Sequence, residues 1–381
     1  MIKAIALLLL FAGAIPALAS REVSVAKLQD ELAGMRGRPD RTVARRLEGM
    51  ALTERLSTAG LATLQQSLPG PESRAALLAL ADASVFLELP QSEQVTKPAP
   101  DTEAQRAMLQ AAEKYVSQTL SKLPNFFATQ KILHLEDTPA THRTGVFFPE
   151  EPLHAVVDAR AVVLYRDGKQ VIDWGKMKSG KEALPLLGLI TSGEFGPILS
   201  TVLADAAQGK IEWSHWEHGS PDDEAVFAYA VPKAKSHYEV KFCCIELDSA
   251  SVFQQFAGYH GEIALDPASG TILRITMLAD LKPAHPVSAA NVVVEYGPVE
   301  IGGRSYICPR RSLAEVASYQ QTPPESPDEP PNGLGLHSVE MSSGGTGPLQ
   351  TMLNDVSYED YHLFRSDSRV LPPGDSTPDK N

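Results

Sequence analysis

Residues 159 to 174 read ARAVVLYRDGKQVIDW, two strand-forming runs joined by Asp167-Gly168. A two-residue connection of this kind suits a type I′ turn, whose twist matches that of the strands it joins, so the segment is expected to be a β-hairpin. The signal returns twice. GYHGEIALDPASGTILRITMLADL turns at Asp266-Pro267-Ala268-Ser269-Gly270, and ANVVVEYGPVEIGGRSYICPRRSLAEVASY turns at Gly302-Gly303. Three hairpins in succession commit the C-terminal two thirds of the chain to an antiparallel sheet, and such a sheet needs at least one apolar face covered.

Two helices are available as cover. Thr102 with Gln105 makes a capping-box pattern. Behind it Met108, Ala111, Ala112, Tyr115, Thr119 and Leu123 trace one helical face until Pro124 stops the run. GPILSTVLADAAQG places Pro197 in a first helical turn and Gly209 where a helix ends. Ahead of these, residues 20–90 read as short helices. SVAKLQDELAGM has Val25, Leu28 and Leu32 at helical spacing, Asp40 is placed to cap RTVARRLEGM, TERLSTAGLATLQQSL stops at Pro69, and ESRAALLALADASVFL follows Gly70-Pro71. Each is too short to be stable alone, so they are expected to form a small all-helical domain. Residues 91–101 are polar and proline-rich, a linker, and 102–366 form the sheet domain, with a mobile loop at 320–335 and a disordered tail at 367–381.

The first nineteen residues, MIKAIALLLLFAGAIPALA, carry Lys3, an apolar run and Ala17-Leu18-Ala19, the three parts of a secretory signal peptide, with cleavage expected after Ala19. No later run is apolar enough to span a membrane, so the mature protein is expected to be secreted or periplasmic without a transmembrane anchor. Cleavage removes Lys3 and no acid, which takes the formal charge from −13 to −14. That excess of carboxylate repels phosphate backbones and argues against nucleic acid as a partner. The basic pairs Arg45-Arg46 and Arg310-Arg311 read as ordinary surface features.

An exported chain allows disulfides, and three cysteines are present, Cys243, Cys244 and Cys308. On a strand the neighbours Cys243 and Cys244 point to opposite faces. Tyr238, Val240 and Phe242 share parity with Cys244, which favours a bond from Cys244 to Cys308.

The densest chemistry lies in GKIEWSHWEHGSPDDE, residues 209–224. A helix would set His215 and His218 on one face at a metal-binding spacing. Gly209 and the turn GSPDDE instead frame a strand, on which strict alternation sends the two histidines, and likewise Trp213 and Trp216, to opposite faces. No metal site, cofactor or catalytic residue is therefore assigned. The chain contains no HExxH, GxSxG, Walker or dinucleotide-binding glycine motif.

The phrases LPNFFATQ, GEFGPIL, GKIEWSHWE, GEIALDPASGTILRI, VEYGPVEIGGRSYICPRRS and LNDVSYEDYHLFRS resemble a family of secreted acidobacterial proteins to which no activity is attached. More loosely, a helix followed by hairpins with one inserted helix resembles the LolA/RseB-type fold of periplasmic lipoprotein carriers and sensors. That resemblance implies an α+β fold in which a curved antiparallel sheet, an incomplete barrel, closes over helices around an apolar cavity. The expected function is a non-enzymatic binding protein holding an acyl chain or other hydrophobic ligand. Trp174, Phe195, Trp213, Tyr229, Tyr238 and Phe242 are the candidates to line the cavity, as large side chains on predicted strands or at the helix edge. The alternatives are a cell-envelope interaction or sensor protein working through its helical N-terminal domain, and an unrecognised hydrolase.

Overall fold

The computed structural model describes residues 20–120, 122–143, 146–148, 150–173, 188–189, 194–219, 222–243, 252–282, 286–319 and 348–364. The leader, Trp174, Cys244, the 320–335 loop and the 367–381 tail lie outside the described residues.

The hairpins form where the sequence places them. Strand β6 (Glu151–Arg166) returns as β7 (Lys169–Asp173) through Asp167 and Gly168 at φ 52° and 76°. Strand β15 (Val287–Ile301) returns as β16 (Arg304–Tyr319) through Gly302 and Gly303 at 60° and 79°. Both are two-residue turns with two left-handed residues, the geometry that favours Asp-Gly and Gly-Gly. Strand β13 (Gly258–Leu265) meets β14 (Ile272–Asp280) across a longer turn ending at Gly270, φ 72°. A Cβ on Gly270 would lie 2.4 Å from the carbonyl carbon of Ala111, so this glycine lets the covering helix settle directly on the hairpin.

With β3 (Phe126–Thr138), β9 (Lys210–Glu217), β10 (Glu224–Val231) and β17 (Leu349–Leu363), these strands make a ten-stranded sheet in the order β7-β6-β3-β17-β16-β15-β14-β13-β10-β9. Every pairing in it is antiparallel, and its end strands β7 and β9 are not joined to each other. Two short ladders stand apart: β4 (Thr141–Arg143) with β5 (Val146–Phe148), and β8 (Gly188–Leu189) with β11 (Glu239–Cys243) and β12 (Val252–Phe256).

The inner face is covered by α5 (Thr102–Leu120) and α6 (Pro197–Gln208). Ala112 and Val116 of α5 and Leu199, Val202 and Ala206 of α6 share one core with Phe227, Tyr229, Tyr259, Ile263, Ile275 and Val292 of the sheet. A second core at the β3 end gathers Phe126, Tyr165, Phe195, Cys308 and Tyr358. The cap of α5 sits one residue earlier than its capping-box pattern suggests: Asp101 Oδ1 accepts from the Ala104 amide at 2.8 Å.

The N-terminal unit corrects the expectation of an all-helical domain. Helices α1 (Val25–Gly34), α2 (Asp40–Glu48), α3 (Thr58–Ser67) and α4 (Pro71–Ala83) share a core around Leu28, Leu47 and Leu77, but β1 (Arg21–Val23) and β2 (Met50–Leu52) pair in parallel beside them. The apolar parity of Val23 with Met50 and Leu52 closes that core. Asp40 serves a different helix from the expected one. It is the first residue of α2, and its carboxylate accepts from the amides of Glu72 and Ser73, both at 3.0 Å, capping α4 where Gly70 has no side chain to do so.

This unit lies on the outer face of the sheet. Ala79, Val85 and Phe86 pack on Leu133, Leu135, Val293, Leu313 and Leu353. Arg311, read from sequence as a surface residue, reaches into this contact: its Nε donates to Asp355 Oδ1 at 2.8 Å and its Nη2 to the fully buried Asp82. Burial and the neighbouring Asp355 push the Asp82 carboxyl up to about 8 against the pull of Arg311. A carboxyl raised on folding contributes stability that is fully present below its unfolded value, about 4, and is lost as pH rises through about 8. Asp82→Asn is thus expected to remove much of the fall in urea midpoint between about pH 5 and pH 9; equal slopes in variant and parent would contradict this.

Candidate functional site

Helix α6 ends at Gly209 and β9 begins at once, with Lys210 opposite Ala230. Along the ladder Trp213 faces Phe227 but His215 faces Val226, so Ser214 is an extra residue, a β-bulge. The bulge overturns strict alternation. Trp213 and Trp216 come to the same face, their rings 4.9 Å apart at 64°, and Trp213 also meets Phe227 edge-on at 5.5 Å. Trp216 is buried and its Nε1 donates to Pro98 O at 3.0 Å, while Lys97 Nζ sits 4.0 Å above its ring. With Gln94 bridged to Glu217, the segment read as a linker is held along the edge of β9.

Ser214, His215 and Glu217 turn to the outer face. Glu217 accepts from Arg274 as a two-pronged fork, Nη1 to Oε1 at 2.8 Å and Nη2 to Oε2 at 2.6 Å, and from Arg55 Nη2 at 2.9 Å. Burial alone would raise the Glu217 carboxyl. The adjacent His215 imidazole, the Arg274 fork and the Arg55 charge outweigh it and hold the group well below the usual carboxylate range. Burial lowers Arg55, aided by the like charge of Arg274, whereas Arg274 is raised because Glu217 and Glu262 outweigh its desolvation. Glu262 lies 3.8 Å from Arg274 Nη2, so two guanidiniums meet two carboxylates.

Beside this cluster a groove of about 390 Å³ opens where the N-terminal unit meets the sheet. The N-terminal unit lines it with Val85, Phe86 and Leu87; the sheet lines it with Ser214, His215, His260, Glu262, Thr276 and Leu278. Ser214 Oγ lies 2.9 Å from His215 Nδ1 and 3.4 Å from Glu262 Oε1, and His260 Nδ1 lies 2.9 Å from Asp280. His218, by contrast, sits 3.4 Å from Asp223. Among the described residues no group of three or more His, Cys, Asp or Glu is arranged to hold a metal ion.

Neither a family model, nor a curated protein, nor a solved structure matches this chain.

The candidate lining residues do not share one wall. Tyr229, Tyr238 and Phe242 join the α5–α6 core. There Tyr259 stands edge-on to Tyr229 at 5.7 Å and to Tyr238 at 5.4 Å and donates to the buried Asp205 of α6 at 2.9 Å. Trp213 packs against the same core at its β9 end, whereas Phe195 belongs to the second core, in ring contact with Phe126 and Tyr358. The void between α5 and Phe195 measures about 10 Å³, room for one water. Cys308 is a free, fully buried thiol, pushed up to about 12 by desolvation, and no disulfide is present among the described residues.

Sequence reasoning missed Arg55, Glu262 and Arg274. The last carried a usable signal, since TILRITM sets a guanidinium inside an otherwise apolar strand, where a charge implies a partner.

Proposed function

We propose that this chain is an exported, non-enzymatic binding protein whose ligand, a small uncharged amphiphile, occupies the groove between the N-terminal unit and the outer face of the sheet. The leader-like residues 1–19 support export, and an open antiparallel sheet with helices on its inner face supports the incomplete-barrel reading. The observation that carries the proposal is the composition of the groove. Val85, Phe86 and Leu87 of the N-terminal unit offer an apolar surface facing the hydrogen-bonding Ser214, His215 and Thr276 of the sheet, and the nearby guanidiniums and carboxylates of Arg55, Arg274, Glu217 and Glu262 are paired with one another. A few placed polar groups beside an apolar wall, in a volume of this size, are the usual features of a small-molecule site.

An acyl chain inside the sheet finds no support among the described residues, because side chains of α5 and α6 fill the inner face. Nor does the cluster favour a hydrolase. Ser214, His215 and Glu217 are the residue types of a nucleophile, base and carboxylate, but Glu217 stands 3.8 Å from His215 Nε2 and its oxygens are taken by Arg55 and Arg274. A carboxylate that orients a catalytic imidazole does so through a direct hydrogen bond.

Nile red, an uncharged amphiphile, is expected to bind one to one. Its affinity should fall at least about tenfold in Ser214→Trp, which fills the groove from the exposed bulge without touching the core. Binding untouched by Ser214→Trp but weakened by the interior change Phe242→Leu would refute the groove and support the acyl cavity.

A further inference from the structure

We infer that the polar end of the ligand is an uncharged, sugar-like head, held in a second hollow that continues the groove along the outer face of β10; the inference rests on the groove being the binding site. Ala228 lines the groove. Ala230, next on the same face of β10 and exposed, lines a hollow of about 400 Å³ together with Lys210, Pro232, Lys235 and Asp280. Two residues of strand advance about 7 Å, so groove and hollow are neighbours. Strand β14 repeats the step, since Leu278 borders the groove and Asp280 the hollow. Between them stands His260, which lines the groove, pairs with Ala230 in the ladder and sets its Nδ1 2.9 Å from Asp280 Oδ1.

Charge decides what kind of head fits. Lys210 Nζ donates to Glu212 Oε1 at 2.8 Å and Lys235 Nζ donates to Gln208 O at 2.5 Å, while Asp280 faces His260. An anion entering the hollow meets the Asp280 carboxylate, and a cation meets two ammonium groups. Either sign is opposed by a like charge. What the hollow offers instead is donors and acceptors side by side, ammonium N–H groups from the lysines and carboxylate oxygens from Asp280. In the neutral His260 ring the Asp280 carboxylate takes the Nδ1 proton, which leaves Nε2 an acceptor at the junction with the groove. A hydroxyl donates and accepts at once, and a sugar ring carries several in a row, so it satisfies both kinds of group without bringing a charge. The floor is low enough to admit it. Ala230 lies between Lys210 of β9 and His260 of β13, its register partners, and a larger side chain there would fill the space.

Displacement of Nile red by octyl glucoside, kept below its micelle threshold, tests the inference against 1-octanol, octanoate and octyltrimethylammonium, which have tails of similar length. Octyl glucoside should displace the dye at a concentration at least about tenfold lower than 1-octanol, and neither ion should match it. Ala230→Trp fills the hollow from an exposed position and leaves the groove open. It should keep the affinity for Nile red within about twofold of the parent and abolish the advantage of the glucoside. Asp280→Ala, which adds no bulk, should reduce that advantage at least about threefold. Circular dichroism of each variant confirms that the fold is kept. Equal displacement by glucoside and octanol, a preference for either ion, or a glucoside advantage that survives Ala230→Trp overturns the head site while the groove stands. Dye binding indifferent to Ser214→Trp removes the groove and this inference with it.

Discussion

Replacing Glu217 by alanine is expected to cost about 3–5 kcal/mol in folding stability, because it leaves two guanidiniums buried with less than their share of negative charge. Arg55 and Glu217 are each more than nine-tenths buried, and Arg274 relies on both Glu217 oxygens. Glu217→Gln keeps the shape and removes the charge, so it should lose nearly as much. Adding Arg55→Met to Glu217→Ala should recover part of the loss by removing one orphaned cation. Urea denaturation followed by circular dichroism reads all three. A Glu217→Ala loss below about 1 kcal/mol would place the cluster with exposed ion pairs and undo the account of it as a buried clamp. Since Arg55 lies ahead of α3 while Glu217 ends β9 and Arg274 lies on β14, the same substitution should loosen the seam that forms the groove.

Phe195→Ala is the second large effect, about 3–5 kcal/mol, from lost burial and the void left behind. Phe195 is 1% exposed and stands edge-on to Phe126 at 5.3 Å and to Tyr358 at 5.1 Å. Each such pair adds about 0.5–1.5 kcal/mol beyond the buried area. Phe195→Leu leaves a smaller void and should cost distinctly less. If Phe195 instead bordered an open ligand cavity, the alanine variant would lose little stability on its own, and the difference between the two variants would vanish.

The hairpins were legible because a two-residue turn admits few backbone solutions, and Asp167-Gly168 and Gly302-Gly303 name theirs outright. Helix α6 was legible for a similar local reason, with Pro197 and Gly209 marking its ends. The face of Trp213 was not, because a bulge is decided by the partner strand: only the ladder with β10 shows that Ser214 is the additional residue. Asp40 misleads in the same manner. Its position predicts a cap for the helix it begins, whereas the cap it makes depends on where α4 comes to lie. The site escaped for the most basic reason. Arg55 and Glu217 are 162 residues apart, and no spacing rule joins residues that only tertiary packing brings together.

The strand order has a consequence in time. Strand β3 opens the sheet domain and β17 closes it, yet they are neighbours inside the sheet, with His134 and Asn354 in contact across 220 residues. Loops of that length close slowly, and this ladder cannot begin to form until the last strand has been made. A ribosome releasing this chain therefore hands over a polypeptide in which β7, β6 and β3 have still to be joined to the rest of the sheet.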